Sequence, residues 1–316
     1  MQKAALLYNP ASGGRKRQKD EVEAALAVLQ QAGIEADLVL TNSPAHAEEE
    51  AKQAIAAGCD TVFACGGDGT IHNIVQLLAN TQVALGVLPL GTANALAHDL
   101  RLPMNVGAAA KALLNATPRR IALGRVDYQE ASGSRGMRYF IVAAGVGVDA
   151  HLFYKLHANT KQSIGMAAYY AKAWHLWFSY PMPPFLVQYV ESRTATAQRA
   201  EVTELLSVRI RNFGKILQEL APGASLDRDD LRVIACRTAS RLAYLAYVTR
   251  GLLRQNWKIP GIDLLSSTNV TCQYVSREGE RDRPKIYVEA DGELLGTLPV
   301  ELSVVPDALT LLVPSR

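Results

Sequence analysis

The chain of 316 residues is 49% hydrophobic and 20% charged, with a formal net charge of +3. That length favours two domains over one, and that balance describes a globular protein rather than a disordered one. So small a net charge argues against nucleic acid as a partner, whose binders carry a clustered basic face.

The four cysteines, Cys59, Cys65, Cys236 and Cys272, form no Cys-x-x-Cys pair, which argues against a zinc ribbon or a redox motif. Cys65 and Cys236 read as small core residues. Met1–Tyr8 already reads as a strand, so no secretory leader is expected. No apolar run approaches the ~18 residues of a membrane-spanning helix. These readings lead to an expected cytoplasmic location.

The first ~120 residues alternate strand and helix. Lys3–Tyr8 is an apolar strand. Gln18–Gln31 places Val22, Ala25, Leu26 and Leu29 on one helical face, and Gly33 ends it. Ala36–Leu40 is the next strand, and Ala45–Ala57 a helix stopped at Gly58. Thr61–Cys65 and Val83–Leu88 are further strands, each followed by a helix. Alternation of this kind implies a mostly parallel sheet with helices on both faces, a three-layer α/β domain. Beyond about Arg120 the segments Tyr139–Ala144, Phe185–Glu191, Leu205–Arg211, Leu231–Arg237, Val270–Val275 and Lys285–Glu289 are β-rich. Gly and Pro turns separate them, which suggests an antiparallel β-sandwich. Helical stretches interrupt it near Lys161–Phe178 and Ser240–Asn256. The expected division is residues 1–121, with 304–316 returning to them, and residues 122–303.

Ligands of parallel α/β sheets bind outside the carboxyl ends of the strands, and three glycine turns lie at such ends. The most informative is Gly66-Gly67-Asp68-Gly69-Thr70, between a strand and the helix that starts at Ile71. Glycines let backbone N–H groups close on a ligand, and the helix directs its positive dipole end at the same point, which suits phosphate. Asp68 is placed to hold a Mg²⁺ ion against that phosphate. The pattern fits neither the G-x-G-x-x-G dinucleotide fingerprint nor the Walker lysine motif. The first turn, Asn9–Gly14, leads into the basic residues Arg15, Lys16, Arg17 and Lys19, and Ser12 can cap a helix or bind a phosphate oxygen. The third, Leu90–Asn94, offers Thr92 and Asn94 at a helix start.

Asn-Pro-x-Ser-Gly at Asn9–Gly13, Gly-Gly-Asp-Gly-Thr at Gly66–Thr70 and Leu-Pro-x-Gly-Thr-x-Asn at Leu88–Asn94 resemble, in order and spacing, the catalytic domain of diacylglycerol kinases and related bacterial lipid kinases. Asp291-Gly292-Glu293 resembles that family's Asp-Gly-Glu signature, and Pro299–Pro314 its C-terminus, so the resemblance covers the full length. It implies ATP as phosphoryl donor and a lipid hydroxyl as acceptor. The implied ATP contacts are Asn9, Pro10, Ala11, Ser12, Gly13, Thr41, Gly66, Gly67, Asp68, Gly69, Thr70, Ile71, His72 and Thr92. The implied catalytic base is Glu293, with Asp291 beside it and Asp68 serving the reactive Mg²⁺. A structural Mg²⁺ site falls on Leu226, Asp229 and Leu231, where Asp230 replaces the family's usual glycine. His72-Asn73 stands where many relatives have Asn-Glu. The site is expected between the domains.

Chemistry independent of the resemblance agrees with the base. A lipid alcohol needs a proton acceptor, and in-line phosphoryl transfer needs mainly positioning and cation charge. Gly145-Val146-Gly147-Val148-Asp149 resembles a Gly-x-Gly-x-Asp segment of these kinases, which would set Asp149 near the acceptor; a strand-end bulge is the alternative. Aromatic Tyr169, Tyr170, Trp174, Trp177, Phe178 and Tyr180, and basic Arg250, Arg254 and Lys258 beside Leu245, Leu252 and Leu253, suit transient contact with a membrane surface or helix packing on the β domain. The acceptor lipid and the oligomeric state, a homodimer included, stay open. Two rivals share the glycine turn: an NAD kinase, and a nucleotide-sensing module without turnover.

Overall fold

The computed structural model describes residues 1–10, 18–130, 133–151, 179–192, 194–214, 219–253, 255, 257–275 and 284–315. The chain divides into two compact units: Met1–Leu123 with Asn212–Leu217 and Val305–Arg316, and Gly124–Arg211 with Gln218–Val304.

The first unit contains β1 (Lys3–Tyr8), α1 (Gln18–Gln31), β2 (Glu35–Leu40), α2 (Pro44–Ala56), β3 (Thr61–Gly66), α3 (Asp68–Leu78), β4 (Ala84–Pro89), α4 (Ala95–Asp99) and α5 (Val106–Leu114). β1 pairs in parallel with β2 and β3, and β3 in parallel with β4. Every residue of β3 and β4 is buried, as expected of strands covered on both faces. Local chemistry sets the helix ends. The Ser43 hydroxyl accepts from His46 N–H at 3.1 Å with Pro44 at the first helical position, and Asn105 Oδ1 accepts from Ala108 N–H at 2.9 Å. Gly33 and Gly58 follow α1 and α2 with φ of +82° and +87°.

The chain re-enters this unit at its end. Thr310 and Leu311 pair in parallel with Ala84 and Leu85. Arg120 donates to Thr81 O at 2.6 Å, Thr310 Oγ1 at 3.1 Å and Asp307 Oδ1 at 3.0 Å, so one guanidinium ties three segments together.

The second unit contains most of β5 (Thr117–Gln129), then β6 (Arg135–Phe140), β7 (Ala143–Gly147), β8 (Phe185–Glu191), β9 (Ala197–Val202), β10 (Glu204–Val208), β11 (Leu231–Cys236), α6 (Arg241–Leu252), β12 (Ile262–Tyr274), β13 (Tyr287–Ala290) and the first part of β14 (Glu293–Val313). Its strands run β13-β7-β10-β11-β12-β8-β9, all antiparallel. β14 pairs β13 over Glu293–Thr297 and β12 over Val300–Ser303, so the ladder returns to itself. Phe140, Val146, Phe185, Leu205, Val233, Val270 and Val300 fill the core of this unit. Over the described chain, antiparallel pairings outnumber parallel ones.

Candidate functional site

In the first unit the strand ends carry the functional turns. Thr41 N–H donates to Tyr8 O at 2.8 Å, which holds the exit of β2 beside that of β1. A cavity of about 300 Å³ lies at these ends, lined by Asn9, Thr41, Ser43, Pro44, Gly67, Gly69, Thr70 and Asn73 among others. Five predicted ATP contacts, Asn9, Thr41, Gly67, Gly69 and Thr70, therefore share one cavity. Gly69 and Thr70 lie in the first turn of α3, where Thr70 N–H already donates to Gly67 O at 3.0 Å and Gly69 N–H has no acceptor within the helix. An anion there meets the Gly69 donor and the helix dipole.

The glycines are required by space. A Cβ on Gly66 would fall 2.2 Å from Thr70 Oγ1, and one on Gly91 2.5 Å from Gly67 Cα. The second and third turns thus touch backbone to backbone. Leu90 N–H donates to Gly66 O at 3.0 Å, and Ala95 N–H to Asp68 Oδ1 at 2.8 Å. Asn94, at φ +50°, clasps its own turn by accepting from Gly91 N–H at 2.9 Å and donating to Gly91 O at 2.8 Å. Gln18 Nε2 donates to Leu90 O at 3.1 Å, fixing the third turn to the start of α1. Sequence reasoning missed Gln18, since a helix-start glutamine carries no signal of a partner 72 residues away.

Other predicted contacts fall elsewhere. Thr92 is exposed on the third turn and does not line the cavity, nor does exposed Pro10. Ile71 and His72 are on the buried face of α3, and Asn73, the next residue, lines the cavity instead. Helical rotation of about 100° per residue explains the exchange. Ala11, Ser12 and Gly13 lie outside the described residues, as do the Lys161–Phe178 stretch and Arg254.

In the second unit Asp291 and Gly292, at φ +49° and +86°, form a two-residue hairpin between paired Ala290 and Glu293. The Asp291 carboxylate accepts from the N–H groups of Ile141, Val142 and Ala143 at 3.0, 2.9 and 3.0 Å, and Asp291 N–H donates to Ala143 O at 2.8 Å. Asp291 therefore anchors the hairpin to the β6–β7 junction. Half-buried Glu293 pairs with Ala290 through its backbone, and its carboxylate makes no hydrogen bond among the described residues.

At the turn before β11, Leu226 is buried, Asp229 exposed, and Leu231 opens the strand. Asp230 is held by Arg228 through two 2.6 Å bonds, and its carbonyl accepts from Arg209 Nη1 at 2.7 Å. The donors left for a cation are the Asp229 carboxylate and main-chain oxygens, hard oxygen ligands of the kind Mg²⁺ takes alongside several waters. Among the described residues no group of three or more His, Cys, Asp or Glu side chains is arranged to hold a metal. Arg250, for which the sequence offers either membrane contact or helix packing on the β domain, is buried with its guanidinium 4.2 Å from the Tyr247 ring centroid. Packing against the aromatic face has turned it inward. Among the described residues no helix is long and apolar enough to cross a membrane.

These features define an α/β protein with a glycine-lined, anion-suited cavity at a strand carboxyl edge, joined to a β-rich unit. Comparison with known proteins gives the family. The Diacylglycerol kinase catalytic domain family matches residues 3–126, and the YegS C-terminal NAD kinase beta sandwich-like domain family matches residues 142–313. The chain belongs to the diacylglycerol kinase catalytic-domain family. It is 28% identical over 304 residues to a diacylglycerol kinase of Bacillus subtilis, covering 95% of this chain and 93% of that protein. Its fold is similar to a putative diacylglycerol kinase from Bacillus anthracis, with a TM-score of 0.75 at 18% identity over 100% of this chain and 96% of that one. Yeast NADH kinase shares the fold more distantly, with a TM-score of 0.52 at 12% identity over 100% of this chain and 84% of that one.

Proposed function

We propose that the chain is an ATP-dependent lipid kinase, cytoplasmic and peripheral to the membrane, that transfers the γ-phosphate to the hydroxyl of diacylglycerol or a related lipid. The observation that carries this reading is the gathering of Asn9, Thr41, Gly67, Gly69 and Thr70 around one cavity at the start of α3. The N-terminal end of α3 receives the phosphates, and Asn73 takes the polar contact expected of His72. Asp68 holds the third turn through Ala95 N–H, and its carboxylate would supply negative charge to the cation that accompanies ATP. Mg²⁺, when bound, offsets the charge of the phosphates.

Glu293 accepts the proton of the acceptor hydroxyl. The oxygen forms a bond to the γ-phosphorus as the bond to the β-phosphate oxygen breaks, and ADP leaves with that electron pair. Asp291 keeps the hairpin in place and stays out of the proton transfer. Asp229, with main-chain oxygens of Leu226 and Leu231, would hold a second, structural Mg²⁺. Exposed Leu242, Leu245, Leu252 and Leu253 on and just after α6, with Trp257, supply the membrane contact.

The test is incubation of the protein with Mg-ATP and a total lipid extract, followed by mass spectrometry, with NAD⁺ as a parallel acceptor. A new phosphorylated lipid is expected. Phosphate on NAD⁺ alone, or ATP binding without any product, overturns the reading.

A further inference from the structure

A second cavity, of about 210 Å³, lies wholly within the second unit, between α6 and the strands β10 and β11. Leu206, Ile234, Val248 and Ile262 give it apolar walls, and Asp149 and Glu204 also line it. No lysine, arginine or histidine is among its described lining residues.

Glu204 is only 6% exposed. Its Oε2 accepts from the N–H groups of Val148 and Asp149, the latter at 3.3 Å. Its Oε1 is buried with no partner among the described residues. The backbone has been cleared to seat these acids. A Cβ on Gly147 would fall 2.8 Å from Glu204 Oε2, and one on Gly145 2.9 Å from both Asp149 Oδ2 and Glu289 Oε1. Three carboxyl groups therefore crowd two glycines at the end of β7, and two of them reach the cavity. Burial pushes the carboxyls of Asp149, Glu204 and Glu289 above the usual range, and mutual repulsion adds to it for Glu204 and Glu289. An unpaired buried carboxyl oxygen is expensive, and the group that relieves it is a donor, best a cationic one.

We propose that this cavity binds the cationic head of an amphiphile, a protonated alkylamine, with Glu204 and Asp149 as its counter-charge and the apolar walls around the first carbons of its chain. The volume is small for a ligand pocket and fits a head with a few methylenes rather than a whole lipid. The mouth suits such a molecule. Val248 lines the cavity while staying 40% exposed, and Leu245 beside it on α6 is exposed as well. The inference concerns binding alone and stands whether or not the chain transfers phosphate.

Calorimetric titration of the full chain at pH 7.5 with octylammonium and with 1-octanol, matched in length, tests it. Octylammonium is expected to bind at least tenfold more tightly than 1-octanol. Glu204→Gln removes that preference and leaves 1-octanol unchanged, and Val248→Arg abolishes binding of both. Equal binding of the two probes by the wild-type protein, no binding of either, or an undiminished amine preference in Glu204→Gln overturns the proposal. Should Glu204→Gln fail to fold, the wild-type ratio and the Val248→Arg result still decide.

Discussion

Replacing Gly91 by alanine tests whether the second and third turns form one rigid floor. The new Cβ would sit 2.5 Å from Gly67 Cα and 2.7 Å from Asn94 Oδ1, whereas carbon atoms rest at about 3.5–4.0 Å. The turns must separate by roughly 1 Å. That stretches Leu90 N–H to Gly66 O, now 3.0 Å, and Ala95 N–H to Asp68 Oδ1, now 2.8 Å, beyond hydrogen-bond range. Overpacking costs about 1–3 kcal/mol and each lost bond about 1 kcal/mol. The first unit should melt at least 5 °C lower by differential scanning calorimetry, at about 2–4 °C per kcal/mol. ATP affinity, measured on the same samples, should fall about tenfold or more as the anion donors move apart.

Gly107→Ala is the internal control. Its Cβ meets nothing nearer than Asn105 Oδ1 at 3.6 Å, inside α5, so it should leave stability unchanged or raise it by up to about 1 kcal/mol. A Gly91→Ala protein that melts within 1 °C of wild type and binds ATP normally refutes the shared-floor argument.

Asp68→Asn keeps the bond to Ala95 N–H and removes the charge, so the Mg²⁺ concentration needed for half-maximal activity should rise several-fold; an unchanged metal dependence counts against its role. Asp291→Ala leaves three N–H groups without their acceptor and should destabilise the second unit by about 2–5 kcal/mol, read as a shift in its melting transition. The buried acids set a pH dependence. The Asp149 carboxyl is pushed up to about 6 from an ordinary value of 3.8, so between those values the folded state holds a proton that the unfolded state has lost. Stability of the second unit should therefore fall as pH rises through that window, by on the order of 3 kcal/mol, and Asp149→Asn should flatten the profile.

Much of the first unit is legible because its signals are local. β1, β3 and β4 are short continuous apolar runs, Gly33 and Gly58 mark helix ends, and the glycine turns stand out by composition. Distant pairings are what sequence leaves hidden. Glu204 reads as the polar start of a strand, and its burial depends on Gly147 and on the N–H of Val148, 56 residues away. β9 carries no apolar alternation because it is exposed along nearly its whole length. β14 is a single long strand whose two halves serve different units, which its composition does not announce. His72 looked like a ligand contact from its place after Gly66–Thr70, and only the rotation of α3 reveals Asn73 as the cavity residue. Arg250 fits a surface stripe by spacing, yet Tyr247, one turn earlier, offers it a ring.

The most direct test uses Glu293→Gln, which keeps side-chain shape and disturbs no hydrogen bond of the described residues while removing the proton acceptor. ATP affinity within twofold of wild type, with transfer of labelled phosphate to lipid reduced at least ~100-fold, is the predicted result. Transfer at a near-wild-type rate would contradict the assignment of that carboxylate as the base.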